Sequence, residues 1–190
     1  MFCDPMEVLS EWRSFLPVVR VACGCEWRVL PCSSQVVAVK LHWFKRRTVP
    51  CVASVGECPG CVTPARPMIY LGCHLRKDGP TGPALSPQRV LELPVSAWAF
   101  VAQEAKAAGG LLSVSFRVYR HGGKRGRILC DEFDQSNVQG AETLSEREIV
   151  QALCRLWSIP SPRLGELDAD WLTRVGVAIS CEGHYRASKG

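Results

Sequence analysis

The sequence predicts an α+β fold dominated by strands: a small β-barrel or curled antiparallel sheet, carrying an inserted loop, with helices at its C-terminal end. Three observations predict it. Short β-branched-rich segments separated by turn signals recur from residue 18 to residue 130. Only one helical pattern interrupts them, and beyond residue 134 the apolar spacing turns helical. The chain has 190 residues, 47% apolar and 22% charged, which suits one core with a small appendage and excludes a disordered chain.

Taken in order, residues 6–16 (MEVLSEWRSFL) have helical spacing and stop at Pro17, giving an N-terminal helical segment over 1–17. VVRVA (18–22) and EWRVL (26–30) read as short strands around the Cys23-Gly24-Cys25 turn, and VVAVKLHWF (36–44) is the clearest strand of all. In it Val37, Val39, Leu41 and Trp43 alternate with Ala38, Lys40, His42 and Phe44, which puts Trp43 on the apolar face. Residues 45–67 form a Pro/Gly/Cys-rich excursion without periodicity. Strands follow at 68–75 and 89–93, across a Gly-Pro-rich loop. A helix is predicted over about 95–107, ended by Gly109-Gly110. LLSVSFRVY (111–119), the turn HGGKRGR (121–127) and ILC (128–130) make a hairpin. Together 18–134 form the β domain and 135–190 a helical extension. SEREIVQALCRLW (145–157) carries a capping box, Ser145 to Glu148, and a short helix is expected at about 168–175.

Eleven cysteines need a reason. The N-terminus has no basic n-region, and no apolar run is long enough to cross a bilayer. The expected location is therefore inside a cell, cytoplasmic or nucleoid-associated, where thiols serve as metal ligands or small core residues. Cys58-Pro59-Gly60-Cys61 is a metal knuckle, because a tight turn aims both sulfurs at one point. Cys51 and His42 lie just upstream. Together they give His-x8-Cys-x6-Cys-x2-Cys, a full set for one structural Zn2+. The excursion lacks the apolar residues to pack itself, so a metal staple supplies its folding free energy. Cys73 or His74, on the strand leaving the excursion, can replace His42 in the set.

Residues 37–127 hold 14 Lys+Arg against 4 Asp+Glu, a balance that points to a polyanionic partner. The cations gather at Lys40 with Lys45, Arg46 and Arg47, at Arg66 with Arg76 and Lys77, and at Arg117, Arg120, Lys124, Arg125 and Arg127. Trp43, Phe44, Tyr70, Phe116 and Tyr119 are interleaved with them. Cations on phosphates and rings on unpaired bases are how single strands are bound, and Phe44 and Tyr70 are the expected stacking platforms. No carboxylate pair and no Gly-rich phosphate loop point to catalysis. A competing reading is an adaptor that docks a protein through the 145–157 helix, using Ile149, Leu153, Leu156 and Trp157.

The order His42, Cys51, Cys58-x2-Cys61 within a basic β domain resembles the zinc-containing single-stranded DNA-binding proteins of tailed phages, over roughly residues 36–130. The resemblance implies an OB-type barrel elaborated by a zinc loop, and a role in replication, recombination or a mobile element. The C-terminal part departs from that family in being helical rather than an acidic tail.

Overall fold

The computed structural model describes residues 16–45, 47–51, 58–76, 87–135, 143–157 and 177–179. The predicted N-terminal helix, apart from Leu16, and the helix at 168–175 lie outside the described residues.

The strands are β1 (Val18–Arg20), β2 (Glu26–Phe44), β3 (Arg47–Pro50), β4 (Arg66–Arg76), β5 (Gln88–Pro94), β6 (Val114–His121), β7 (Arg127–Gln135) and β8 (Val177–Ile179). Helix α1 (Val95–Ala107) joins β5 to β6, and α2 (Glu146–Trp157) follows β7. All eight strands form one sheet, in the order β1-β5-β4-β2-β6-β7. One edge of β2 carries β4; the other carries β6, then β8, then β3. Every pairing is antiparallel except β1 with β5, so the sheet is mainly antiparallel, as expected, and mixed only at the β1 edge. The hydrogen-bonded path is open. The sheet nevertheless curls. Along its order β1 stands four strand spacings from β3, about 19 Å if flat, yet Arg20 Nη2 donates to Thr48 Oγ1 at 3.3 Å.

β2 is the spine, and it departs from expectation by being one strand of 19 residues where two were predicted. Residues 31–35 (PCSSQ) lie between the two predicted strands. They form an irregularity in the pairing with β4, between Pro31 and Val36. Ser33 is buried there and stands in for the lost ladder: its hydroxyl accepts from Gly72 N at 3.1 Å. The excursion also holds a strand that the sequence hid, β3, folded back on the end of β2. The turn places Lys45 at φ +48°, a left-handed conformation that no Gly or Asn signals in the sequence.

Two apolar layers flank the sheet. Val29, Val36, Leu71, Cys73, Leu91, Leu93, Phe116 and Val118 pack with Ala97, Val101 and Ala105 of α1. On the opposite face Val37, Val39, Leu41, Tyr70 and Val90 pack with Ile149, Val150 and Leu153 of α2. α1 has the predicted bounds and ends at Gly109, φ +84°, with Gly110 N donating to Ala105 O. α2 opens on the predicted capping box: Ser145 N donates to Glu148 Oε2 at 2.8 Å. Its apolar stripe is spent on its own sheet. Ile149 and Leu153 are buried, Trp157 is half-buried, and only Leu156 of the four expected docking residues is exposed. The expected helical extension thus contributes α2 and β8 to the same sheet. No helix among the described residues is long and apolar enough to cross a membrane.

Tyr70, expected as an exposed platform, is fully buried. Its ring meets Trp157 edge-on, centroids 5.8 Å apart, and its hydroxyl donates to Glu92 Oε2 at 3.0 Å. Burial, and then the adjoining Glu92 carboxylate, push its phenol far above the ordinary tyrosine range. The whole of β4 from Ile69 to Leu75 is buried because each face has its own helix, so alternation could not reveal an outward side. Tyr70→Ala should cost about 3–5 kcal/mol in denaturant unfolding, as for other large buried side chains. Tyr70→Phe should cost about 1 kcal/mol, since it removes one hydrogen bond.

Candidate metal centre and nucleic-acid interface

His42, Cys51, Cys58 and Cys61 converge. Their ligand atoms all lie within 4.8 Å of one another, and the group can hold a metal ion. Each arrives by a separate local cause. His42 sits near the end of β2, one residue before Trp43, and only 2% of it is exposed. Cys51 follows β3, and its backbone N–H donates to Lys40 O at 2.7 Å, which pins the strand end beside His42. Cys58 and Cys61 bracket a 3-10 turn over Pro59–Val62, closed by Cys61 N donating to Cys58 O at 3.0 Å. Gly60 is the closest approach: a Cβ there would stand 2.8 Å from His42 Cβ. Only glycine lets the knuckle lie on the imidazole.

Two of the donor spacings match the edges of a tetrahedral zinc site. Cys51 Sγ and Cys61 Sγ are 3.7 Å apart, and Cys61 Sγ is 3.5 Å from His42 Nε2. Bonds of about 2.3 Å to sulfur and 2.0–2.1 Å to nitrogen give tetrahedral edges of about 3.8 and 3.5 Å. The imidazole is oriented for the task. Its Nδ1–H donates to Thr63 O at 2.9 Å, which leaves Nε2 as the bare donor facing the sulfurs. Thr63 is itself held by its N–H and hydroxyl to Gly60 O, each at 3.0 Å. Desolvation, and then the hydrogen bonds to the Cys51 and Cys58 sulfurs, push the Cys61 thiol up to about 11.

The alternatives Cys73 and His74 take no part in this group. Cys73 is fully buried in the α1-side core, and burial raises its thiol well above the ordinary range. His74 is also buried, on the other side of the strand by alternation.

The predicted nucleic-acid residues divide. Lys40, Lys45, Lys124, Arg125 and Arg127 are exposed. Arg46, and the side chains of Phe44 and Arg47, lie outside the described residues. Tyr70 is core, as shown above. Arg117, Tyr119 and Arg120 are committed inside the fold. Arg117 Nε and Nη2 donate to the two oxygens of Asp131 at 2.8 and 3.1 Å, and its Nη1 donates to Glu26 Oε1 at 3.0 Å. Glu132 adds a fourth contact at 2.9 Å, and the guanidinium lies over the Tyr119 ring. Tyr119 donates to Asp131 Oδ2 at 3.0 Å. These bonds, Arg117's first, hold the Asp131 carboxyl below the usual carboxylate range. Arg120 donates to Val21 O and Gly126 O, both at 2.9 Å. It braces the hairpin that carries Lys124 and Arg125.

The exposed cations of the predicted set, together with Arg66, fall at two places. One is the metal-bearing end of the β2–β4 pair, with Lys40 on β2, Lys45 at the turn after it and Arg66 opening β4. The other is the β6–β7 hairpin, with Lys124, Arg125 and Arg127. By register, where Glu26 pairs Tyr119 and Phe44 pairs Arg47, they sit at opposite ends of β2. Sequence alternation correctly placed Trp43 on the Val37/Leu41 face but wrongly made it core: it is 62% exposed, because β2 outruns the layer that α2 covers. Comparison with family models, with curated proteins and with solved structures found no match to this chain.

Proposed function

We propose that this chain is a non-catalytic binder of single-stranded nucleic acid, built on an OB-type sheet and stapled by one structural Zn2+. The observation that carries the reading is the placement of its exposed cations. Six of them lie around the β2–β4 connection, at Lys40, Lys45 and Arg66, and on the β6–β7 hairpin, at Lys124, Arg125 and Arg127. In OB-type sheets the corresponding loops, after the first strand and before the fifth, grip oligonucleotides. The strand order supports the assignment. β5-β4-β2-β6-β7, with one helix between β5 and β6 and a long irregular β2 shared by both halves, is the order of such a barrel. Three thiols and an imidazole gathered within 4.8 Å of one another favour zinc over harder ions, which prefer oxygen. The phage-type resemblance makes DNA the favoured strand and the inside of a cell the place of action.

A titration by fluorescence anisotropy, with single-stranded and duplex oligonucleotides of equal length, tests the reading. Single strands should bind more tightly. Affinity should fall with salt at a slope of about 0.7 for each phosphate contact, so about 2–4 for three to six contacts. Absence of binding to either form at low salt overturns it.

A further inference from the structure

We propose that Trp43 is the residue on which an unpaired base stacks, and that it sets the preference for single strands. This rests on the reading above and assigns to the metal-side surface the flat ring that the loss of Tyr70 took away. Trp43 is the most exposed aromatic side chain among the described residues, at 62%, ahead of Phe100 at 58%. Phe100 lies on α1, which carries none of the cations of either basic surface. Trp43 lies within one.

Three features fit Trp43 to a base. Its register partner is Thr48, a small residue, so the indole is not roofed by a large cross-strand neighbour. Leu41, two residues before it on the same face, pairs with Arg66, which is exposed. The indole and a guanidinium thus share one face of adjacent strands, at a spacing that lets a base stack while its phosphate meets the cation. Lys45 sits at the hairpin turn, also exposed. The platform is also held in place. His42 precedes Trp43 on β2, and Cys51 directly follows β3, so the metal-ligand group ties both strands of the hairpin that carries the indole. A duplex hides its bases, and stacking on Trp43 is available to it only after unpairing.

The test compares Trp43→Ala and Trp43→Phe with the wild type, all zinc-loaded, using the single-stranded and duplex oligonucleotides. Trp43→Ala should weaken single-strand binding roughly 5- to 150-fold. The salt slope and the weaker duplex binding should be unchanged, so the preference for single strands collapses. Trp43→Phe should restore most of the affinity. Zinc content and thermal unfolding should stay at wild-type values, because the indole is outside the core. A wild type that binds single strands alongside a Trp43→Ala variant that binds them equally well overturns this inference and leaves the parent reading standing. So does a loss that is equal for single strands and duplex. A wild type that binds neither form overturns both.

Discussion

Cys58→Ser should abolish zinc binding, whereas the wild type purified without chelator should carry about one zinc per chain by metal analysis. The serine hydroxyl stays protonated and is a poor zinc ligand, so three donors remain where a closed structural site needs four. The expected consequence is local first. Lys40 and Trp43 are carried by a strand whose end is tied to the knuckle through His42, Gly60 and Thr63. Loss of the metal frees the 45–67 connection from β2, and limited proteolysis should cut there. The α1-side core, from Val29 to Phe116 and Val118, shares no ligand with the centre and should remain folded. The linkage is quantitative. When free zinc exceeds its dissociation constant a thousandfold, it stabilises the native state by about 4 kcal/mol, and the variant should lose that increment. Zinc uptake also expels thiol protons, so apparent affinity should fall as pH falls. Cys23→Ser, at the distant turn before β2, should change none of this. Full zinc retention by Cys58→Ser would remove that cysteine from the site, and retention by His42→Ala would remove the imidazole.

The residues differ in how much they showed in advance, and the reason is range. His42, Cys51, Cys58 and Cys61 were legible because four ligands within 20 residues are a local pattern, and a tight turn aims donors wherever it lies. The bounds of α1 and the capping box of α2 were legible for the same reason. What failed depended on partners far along the chain. Arg117 counted as a free cation, yet it is held by Glu26, 91 residues away, and by Asp131. Tyr70 counted as an outward ring, yet Trp157 and Glu92 enclose it. Trp43 failed in the opposite sense. Its face was right, but the reach of α2 along that face is not written in β2. β2 itself was read as two strands, and the hydrogen bond from Gly72 that holds Ser33 in an irregular strand comes from β4, 39 residues along the chain.

Reversing charge at Lys124, Arg125 and Arg127 together should weaken single-strand binding roughly a hundredfold at 0.1 M salt. Each phosphate contact on a single strand releases about 0.7 of a counterion. At that ionic strength each such release is worth about fivefold in affinity, and three contacts multiply. The salt slope should fall by about 2, and all base sequences should be affected alike, because phosphates carry no sequence. The fold should tolerate the change. The three side chains are exposed. The turn beneath them is shaped by Gly122 and Gly123, at φ +84° and +76°, and closed by Gly126 N donating to Gly123 O at 3.0 Å. Arg120, which braces that turn through Gly126 O, is left intact. Arg117→Gln makes the contrast. Its guanidinium is already shared among Asp131, Glu26 and Glu132, so its loss should leave the salt slope at the wild-type value and alter unfolding instead. If the triple reversal leaves affinity and slope untouched while the wild type binds, the strand does not cross the hairpin. The interface then reduces to Lys40, Trp43, Lys45 and Arg66 at the metal-bearing end of β2, and a correspondingly shallow wild-type slope should accompany it.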